Sequence, residues 1–133
     1  MAWRMLDAVM STILVIDDDR LVRESVCELL DELGCASIPV CDGHQALSHF
    51  QGQWCDLIVS DVDMPDISGF EFLARLQRQC APRQHPPLIF LSARADDMLR
   101  HAAQAAGAAQ LFAKPLPVGD FSRTVRALLP RHS

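Results

Sequence analysis

The sequence predicts an α/β fold: a doubly wound, five-stranded parallel sheet with five helices. Two observations predict it. Short apolar runs alternate along the chain with longer segments whose apolar residues recur at helical spacing. The chain also has the length of one domain, 133 residues, of which 50% are hydrophobic and 22% charged. Strands that alternate with helices in this way form a parallel sheet covered on both faces.

The chain begins with a strand, a helix and an edge strand. Residues 13–16 are an apolar run typical of a strand that is buried on both faces of a sheet. Asp19 is in the position of an N-terminal cap for the helix that follows, and Gly34 stops that helix. Residues 36–41 are the second strand. Because Pro39 has no N–H to donate to a neighbouring strand, this strand must lie at an edge of the sheet.

The middle of the chain repeats this pattern. Asp42-Gly43 is a turn into a short helix that ends near Phe50. Residues 57–60 are a third buried strand, which ends at Asp61. A loop with a proline and a glycine then leads into a helix over residues 70–79.

The last part of the chain adds two more strand and helix pairs. Residues 88–91 are the fourth strand, and an alanine-rich helix over residues 98–106 ends at a glycine. Residues 111–113 are the fifth strand. The final helix covers residues 118–129, with apolar residues at helical spacing, and a proline stops it.

The edge position of the second strand selects the order 2-1-3-4-5, which is the flavodoxin-like order. In that order strands 1 and 3 lie at the topological switch point, where such folds bind ligands beyond the carboxyl ends of the strands. The residues at those ends are Asp17 and Asp18, then Asp61, Ser92 and Lys114, the only lysine in the chain. Each of these residues has an ordinary interpretation as a loop acid, a loop hydroxyl or a solvated lysine.

Together, however, these side chains indicate a phosphoryl-transfer site. Crowded carboxylates raise one another's pKa unless a cation neutralises them. Oxygen ligands without histidine or cysteine suit Mg²⁺ or Mn²⁺, and an ammonium suits a phosphoryl oxygen. In such a site an aspartate can serve as the nucleophile.

Four motifs within this frame resemble those of response-regulator receiver domains, the chemotaxis-regulator-like modules of two-component signalling. The resemblance covers about residues 12–129. The motifs are ILVIDDD at residues 13–19, DVDMPDISG at 61–69, LSA at 91–93 and KP at 114–115.

The resemblance implies a phosphorelay function. Asp61 would accept a phosphoryl group from the phosphohistidine of a histidine kinase or phosphotransfer protein. Ser92 would hydrogen-bond one phosphoryl oxygen, and Lys114 would pair with another. The resemblance also implies a cis peptide bond between Lys114 and Pro115, which sequence physics only permits.

The resemblance implies a metal site as well. Asp17, Asp18 and Asp61 would hold Mg²⁺ through their carboxylates, together with the backbone carbonyl of Asp63. We therefore expect a phosphoprotein that signals by docking to a downstream protein target. It would not be an enzyme beyond its self-catalysed phosphoryl transfer and autodephosphorylation.

Composition excludes several other classes of function. The net charge of −5 and the absence of a basic cluster argue against direct nucleic-acid binding. No apolar run reaches the length of a membrane span. Five cysteines without a C-x-x-C pair indicate reduced thiols in a cytoplasmic protein. Two alternatives stay open: a haloacid-dehalogenase-type phosphohydrolase, since Asp61-Val62-Asp63 has its D-x-D pattern, and a pseudoreceiver that binds a partner without phosphorylation.

Two features depart from the family or lie outside its motifs. Three residues before the lysine, where receivers usually have Tyr or Phe, this chain has Leu111, and the neighbouring Phe112 points to the opposite face. We take residues 12–130 as the receiver domain and residues 1–11 as an N-terminal extension. That extension is either a short helix, given the spacing of Trp3, Leu6 and Met10, or the result of a natural start at Met10. We expect a stand-alone receiver, because little sequence follows the last helix.

Overall fold

The computed structural model describes residues 10–130, so the segment proposed as an extra helix lies outside the described residues except for its end. The five strands form one parallel sheet in the order β2-β1-β3-β4-β5, which confirms the predicted fold and the edge position of β2. The strands are β1 (Thr12–Ile16), β2 (Ala36–Val40), β3 (Leu57–Asp61), β4 (Leu88–Ser92) and β5 (Gln110–Ala113). The helices are α1 (Arg20–Glu32), α2 (Gly43–His49), α3 (Gly69–Cys80), α4 (Asp97–Ala106) and α5 (Val118–Leu128).

The helix ends are set largely by local capping. Asp19, Asp42, Ser68 and Asp96 each accept a backbone N–H from the first turn of the helix that follows. The Ser68 cap is the reason that α3 begins slightly earlier than the sequence indicates. At the other end of α4, Gly107 has φ 105°, a left-handed conformation that favours glycine.

The sheet separates two hydrophobic cores, because successive residues of a strand point to opposite faces. Ile13 and Val15 pack with α1 and α5, whereas Leu14 and Ile16 pack with α2, α3 and α4. The central strands β3 and β4 are buried along their whole length. This double cover leaves the carboxyl ends of the strands as the open edge at which polar side chains collect.

Candidate functional site

Three carboxylates and one ammonium meet at the carboxyl edge of the sheet. Oxygen atoms of Asp17, Asp18 and Asp61 all lie within 4.8 Å of one another. Lys114 Nζ lies 3.2 Å from Asp17 Oδ2 and 3.2 Å from Asp61 Oδ1. Lys114 thus bridges two acids that are far from it in sequence.

Strand register explains why these residues meet. Ile16 of β1 pairs with Ser60 of β3, so the next residue of each chain segment, Asp17 and Asp61, emerges side by side. The side chains of both aspartates are nearly enclosed, with 3% and 8% of their surface exposed. Asp18 follows in the loop and is exposed.

Ser92 and Lys114 are brought together by the register of the next two strands. Ser92 pairs with Ala113, and the backbone N–H of Lys114 donates to the carbonyl oxygen of Ser92 at 2.9 Å. The Ser92 hydroxyl is buried and accepts a hydrogen bond from the backbone N–H of Arg94 at 3.0 Å. An accepting hydroxyl retains its own proton as a donor. The peptide bond after Lys114 is cis, as the resemblance implies, and so is the bond between Ala81 and Pro82, which the sequence did not indicate.

The electrostatics of the site leave it with excess negative charge. Burial raises the pKa of Asp61; Lys114 opposes this shift, and the neighbouring Asp17 adds to it. For Lys114, burial lowers the pKa, but the attraction of Asp61 and Asp17 outweighs burial, so the net shift is upward. Three carboxylates therefore share one ammonium. Their oxygen donors and their uncompensated charge fit a hard divalent cation such as Mg²⁺.

The loop after β3 is shaped by a close backbone approach at Gly69. The Gly69 N–H donates to the Val62 carbonyl at 2.7 Å. A Cβ atom at this position would lie 2.6 Å from the Asp61 carbonyl oxygen and 2.7 Å from Phe90 Cε1. Only glycine fits, which gives a physical reason for the last residue of the DVDMPDISG motif. Within the loop, Asp63 is exposed, and its backbone N–H donates to the Asp61 carboxylate.

Asp19 and Leu111 lie where the sequence predicted. Asp19 caps α1, accepting the backbone N–H of Leu21 at 2.9 Å. Leu111 is buried in the core on the α2, α3 and α4 side of the sheet. Phe112 is on the other side, edge-on to Phe121 with ring centroids 6.0 Å apart. Phe112 therefore does not substitute for an aromatic side chain at position 111.

Sequence reasoning missed the partners of Asp66. Its carboxylate accepts the backbone N–H groups of Gly43 and His44, at 3.3 and 2.9 Å. The sequence places Asp66 in an acid-rich segment, but no periodicity or spacing relates it to a helix that begins 23 residues earlier. The contact depends on how the loops above β2 and β3 fold against each other.

An acidic cluster beside a lysine, at the switch point of a doubly wound sheet, defines the class of signalling receiver modules. The family model described as the response regulator receiver domain matches residues 13–126. The chain belongs to this family, the receiver domains of two-component response regulators. These are signalling domains rather than classical enzymes, and they interact with histidine kinases and downstream targets.

Curated relatives include two transcriptional regulators. The chain is 30% identical over 121 residues to the phosphate regulon transcriptional regulatory protein PhoB of Escherichia coli, covering 91% of this chain and 52% of PhoB. It is 34% identical over 119 residues to the transcriptional regulatory protein TcrA of Mycobacterium tuberculosis, covering 90% of this chain and 46% of TcrA. The chain thus spans about half the length of these relatives.

Solved structures include two with similar folds over their full length. The chemotaxis response regulator CheY4 of Vibrio cholerae superposes with a TM-score of 0.82 at 28% identity, covering 91% of this chain and 100% of CheY4. A BeF₃-activated DrrB receiver domain superposes with a TM-score of 0.80 at 28% identity, covering 92% and 100%. Within residues 10–130, no helix has both the length and the apolar character that crossing a bilayer requires.

Proposed function

We propose that this chain accepts a phosphoryl group on Asp61 from the phosphohistidine of a histidine kinase or phosphotransfer protein. The observation that carries the proposal is the cluster itself. Asp61 is a nearly enclosed carboxylate within 4.8 Å of two other carboxylates and 3.2 Å from an ammonium. A hydrogen-bonding carboxylate with a raised pKa, next to a cation site and a lysine, has the groups that phosphoryl transfer needs.

The proposed step is a displacement at phosphorus. A carboxylate oxygen of Asp61 forms the new O–P bond while the P–N bond to the imidazole breaks, and the imidazole nitrogen keeps the electron pair. Lys114 neutralises charge on a phosphoryl oxygen, and the Ser92 hydroxyl donates a hydrogen bond to another. Mg²⁺ or Mn²⁺, held by the carboxylates of Asp17, Asp18 and Asp61 and the backbone carbonyl of Asp63, would offset the combined negative charge.

The output of the phosphorylated chain is proposed to be the binding of a downstream protein rather than nucleic acid. The acidic net charge of −5 supports this proposal. All five cysteines are free, which supports a reducing, cytoplasmic location. We assign this activity to residues 12–130 and treat residues 1–11 as an N-terminal extension.

Phosphorylation by a small-molecule donor tests the proposal. The protein is incubated with acetyl phosphate and Mg²⁺, and its intact mass is measured. We expect a labile adduct of one phosphoryl group in the wild type and none in Asp61→Asn. The matched control is Asp63→Asn, the same substitution on an exposed acid of the same loop, which keeps its backbone carbonyl and should keep the adduct.

Each of the other outcomes points to a different function. An adduct that survives in Asp61→Asn refutes the assignment of the acceptor. Multiple turnover of phosphate esters without an adduct indicates a phosphohydrolase. A wild-type chain that never gains mass indicates a pseudoreceiver.

A further inference from the structure

The carboxylate of Asp66 joins the loop after β3 to the first turn of α2. Asp66 Oδ1 accepts the backbone N–H of Gly43 at 3.3 Å, and Oδ2 accepts that of His44 at 2.9 Å. The His44 ring adds a third contact, with Nδ1 2.7 Å from Oδ2. Only 18% of the Asp66 side chain is exposed, so water competes little for these bonds. The loop is therefore tied to a helix on a different part of the chain.

This connection is reinforced by its surroundings. Burial raises the pKa of Asp66, but the backbone N–H groups of Ile67, His44 and Gly43 outweigh burial and lower it to about 2. The side chain of Ile67 packs against the same turn, and a Cβ on Gly43 would lie 2.5 Å from Ile67 Cγ1. Gly43 thus allows the loop to approach the helix closely, and the Asp66 carboxylate holds it there.

The first turn of α2 does not need Asp66 as its cap. Asp42, the residue before the helix, accepts the backbone N–H of Gln45 at 2.8 Å and supplies the local cap. Both carboxylates accept bonds from the same turn, but only Asp66 belongs to another segment. Loss of either one would weaken α2, whereas loss of Asp66 alone would also release the loop.

The same loop holds the remaining proposed metal ligand. Its base is closed by the hydrogen bond between Gly69 and Val62, and its first part is held by the bond from the Asp63 N–H to the Asp61 carboxylate. Asp66 is the attachment on the far side of Asp63. A loop fixed on both sides of a backbone carbonyl restricts where that carbonyl can point.

We propose that Asp66 is a positioning residue for the metal site, holding the loop so that the Asp63 backbone carbonyl serves as a ligand. This inference rests on the proposed function. Outer-shell partners of this kind typically change metal affinity by about 10-fold to 100-fold when removed.

Mg²⁺ affinity tests the inference, with Asp42→Ala as the matched control. Calorimetric titration of Mg²⁺ into the protein without a phosphoryl donor gives the dissociation constant, and the Mg²⁺ dependence of acetyl phosphate labelling gives a second value. We expect both values to rise about 10-fold in Asp66→Ala and to change less than about twofold in Asp42→Ala. The melting temperature should fall in both variants, because both lose a helix-capping acceptor.

Several outcomes would overturn the inference. One is wild-type Mg²⁺ affinity in Asp66→Ala, and another is an equal loss of affinity in both variants. If Asp66→Ala does not fold, Asp66→Asn retains the size of the side chain and one accepting oxygen, and it should still bind Mg²⁺ more weakly than the wild type. A wild-type chain that neither binds Mg²⁺ nor needs it for labelling refutes the metal site itself, which is distinct from a normal wild type with an unaffected Asp66 variant.

Discussion

Asp18→Asn removes one charge from the acidic cluster while keeping the size of the side chain. An oxygen of Asp18 lies within 4.8 Å of oxygens of Asp17 and Asp61. Two unit charges at that distance repel by about 0.9 kcal/mol in water and about 3.5 kcal/mol at an effective dielectric constant of about 20. Asp18 is exposed, so the lower value applies to each pair, and Lys114 cancels part of the sum. We expect the free energy of unfolding of the metal-free protein to rise by about 1 kcal/mol, or about 4 °C in melting temperature.

Mg²⁺ should reverse this order of stability. A ligand that binds only the folded state adds about 2.7 kcal/mol when its concentration is a hundredfold above its dissociation constant. Asp18→Asn lacks one carboxylate ligand and should gain less from the metal than the wild type. The assay is thermal unfolding followed by circular dichroism, in a chelator and then in millimolar Mg²⁺.

Asp19→Asn is the control for this experiment. It makes the same charge change one residue further along, at the N-cap of α1, where asparagine is as good a cap as aspartate. Its stability should stay within about 0.5 kcal/mol of the wild type, with the full response to Mg²⁺. The reasoning fails if Asp18→Asn melts at or below the wild type in chelator, or if Mg²⁺ stabilises both proteins equally.

Four further substitutions test other parts of the site. Lys114→Gln leaves two buried carboxylates without their shared ammonium, so denaturant unfolding at neutral pH should show a loss of about 2–4 kcal/mol that shrinks in acid; an undiminished loss in acid would contradict this. Because the pKa of Asp61 is raised in the fold, its stabilising effect is present below its ordinary pKa of 3.8 and is lost as pH rises through the raised value; Asp61→Asn should remove that slope from the stability profile of the metal-free protein. Gly69→Ala should cost about 1–3 kcal/mol and slow phosphorylation, whereas Gly52→Ala, with no atom within 4 Å of the new Cβ, should change stability by less than about 0.5 kcal/mol. Leu111 is smaller than an aromatic residue and has no polar tip, so amide shifts over residues 94–118 on adding a beryllofluoride mimic should be small in the wild type and larger in Leu111→Tyr; large wild-type shifts that the substitution leaves unchanged would refute this.

Local patterns in the sequence were sufficient to predict the elements and their order. Apolar runs marked the buried strands, and Pro39 placed β2 at the edge because it cannot donate a hydrogen bond there. The ends of elements were less certain, because side chains from elsewhere decide them. β2 ends at Val40, before Cys41, whose N–H donates to the side chain of Gln45 in α2 instead of to a strand. Such differences of one residue do not alter which side chains reach the carboxyl edge.

The neighbourhood of the site was also predictable, because a parallel sheet brings the carboxyl ends of its strands to one edge. That rule related Lys114 to Asp17 across 97 residues before any distance was known. The rule does not say which atoms touch. The bridging position of Lys114 between two aspartates, and the raised pKa of Asp61, depend on burial and register that only the folded chain has.

What the sequence by itself determined, then, is everything that follows from short-range periodicity, capping and strand order: the fold, the two cores and the residues at the active edge. Only the tertiary structure decided how loops from different strands meet. The bonds from Gly43 and His44 to Asp66 join two irregular segments, and irregular segments have no period from which a contact can be inferred. The close approach at Gly69 is of the same kind, since the atoms that exclude a side chain there belong to Asp61 and Phe90, on two other strands. Contacts of this type arise when packed layers leave room for one arrangement of the connecting loops.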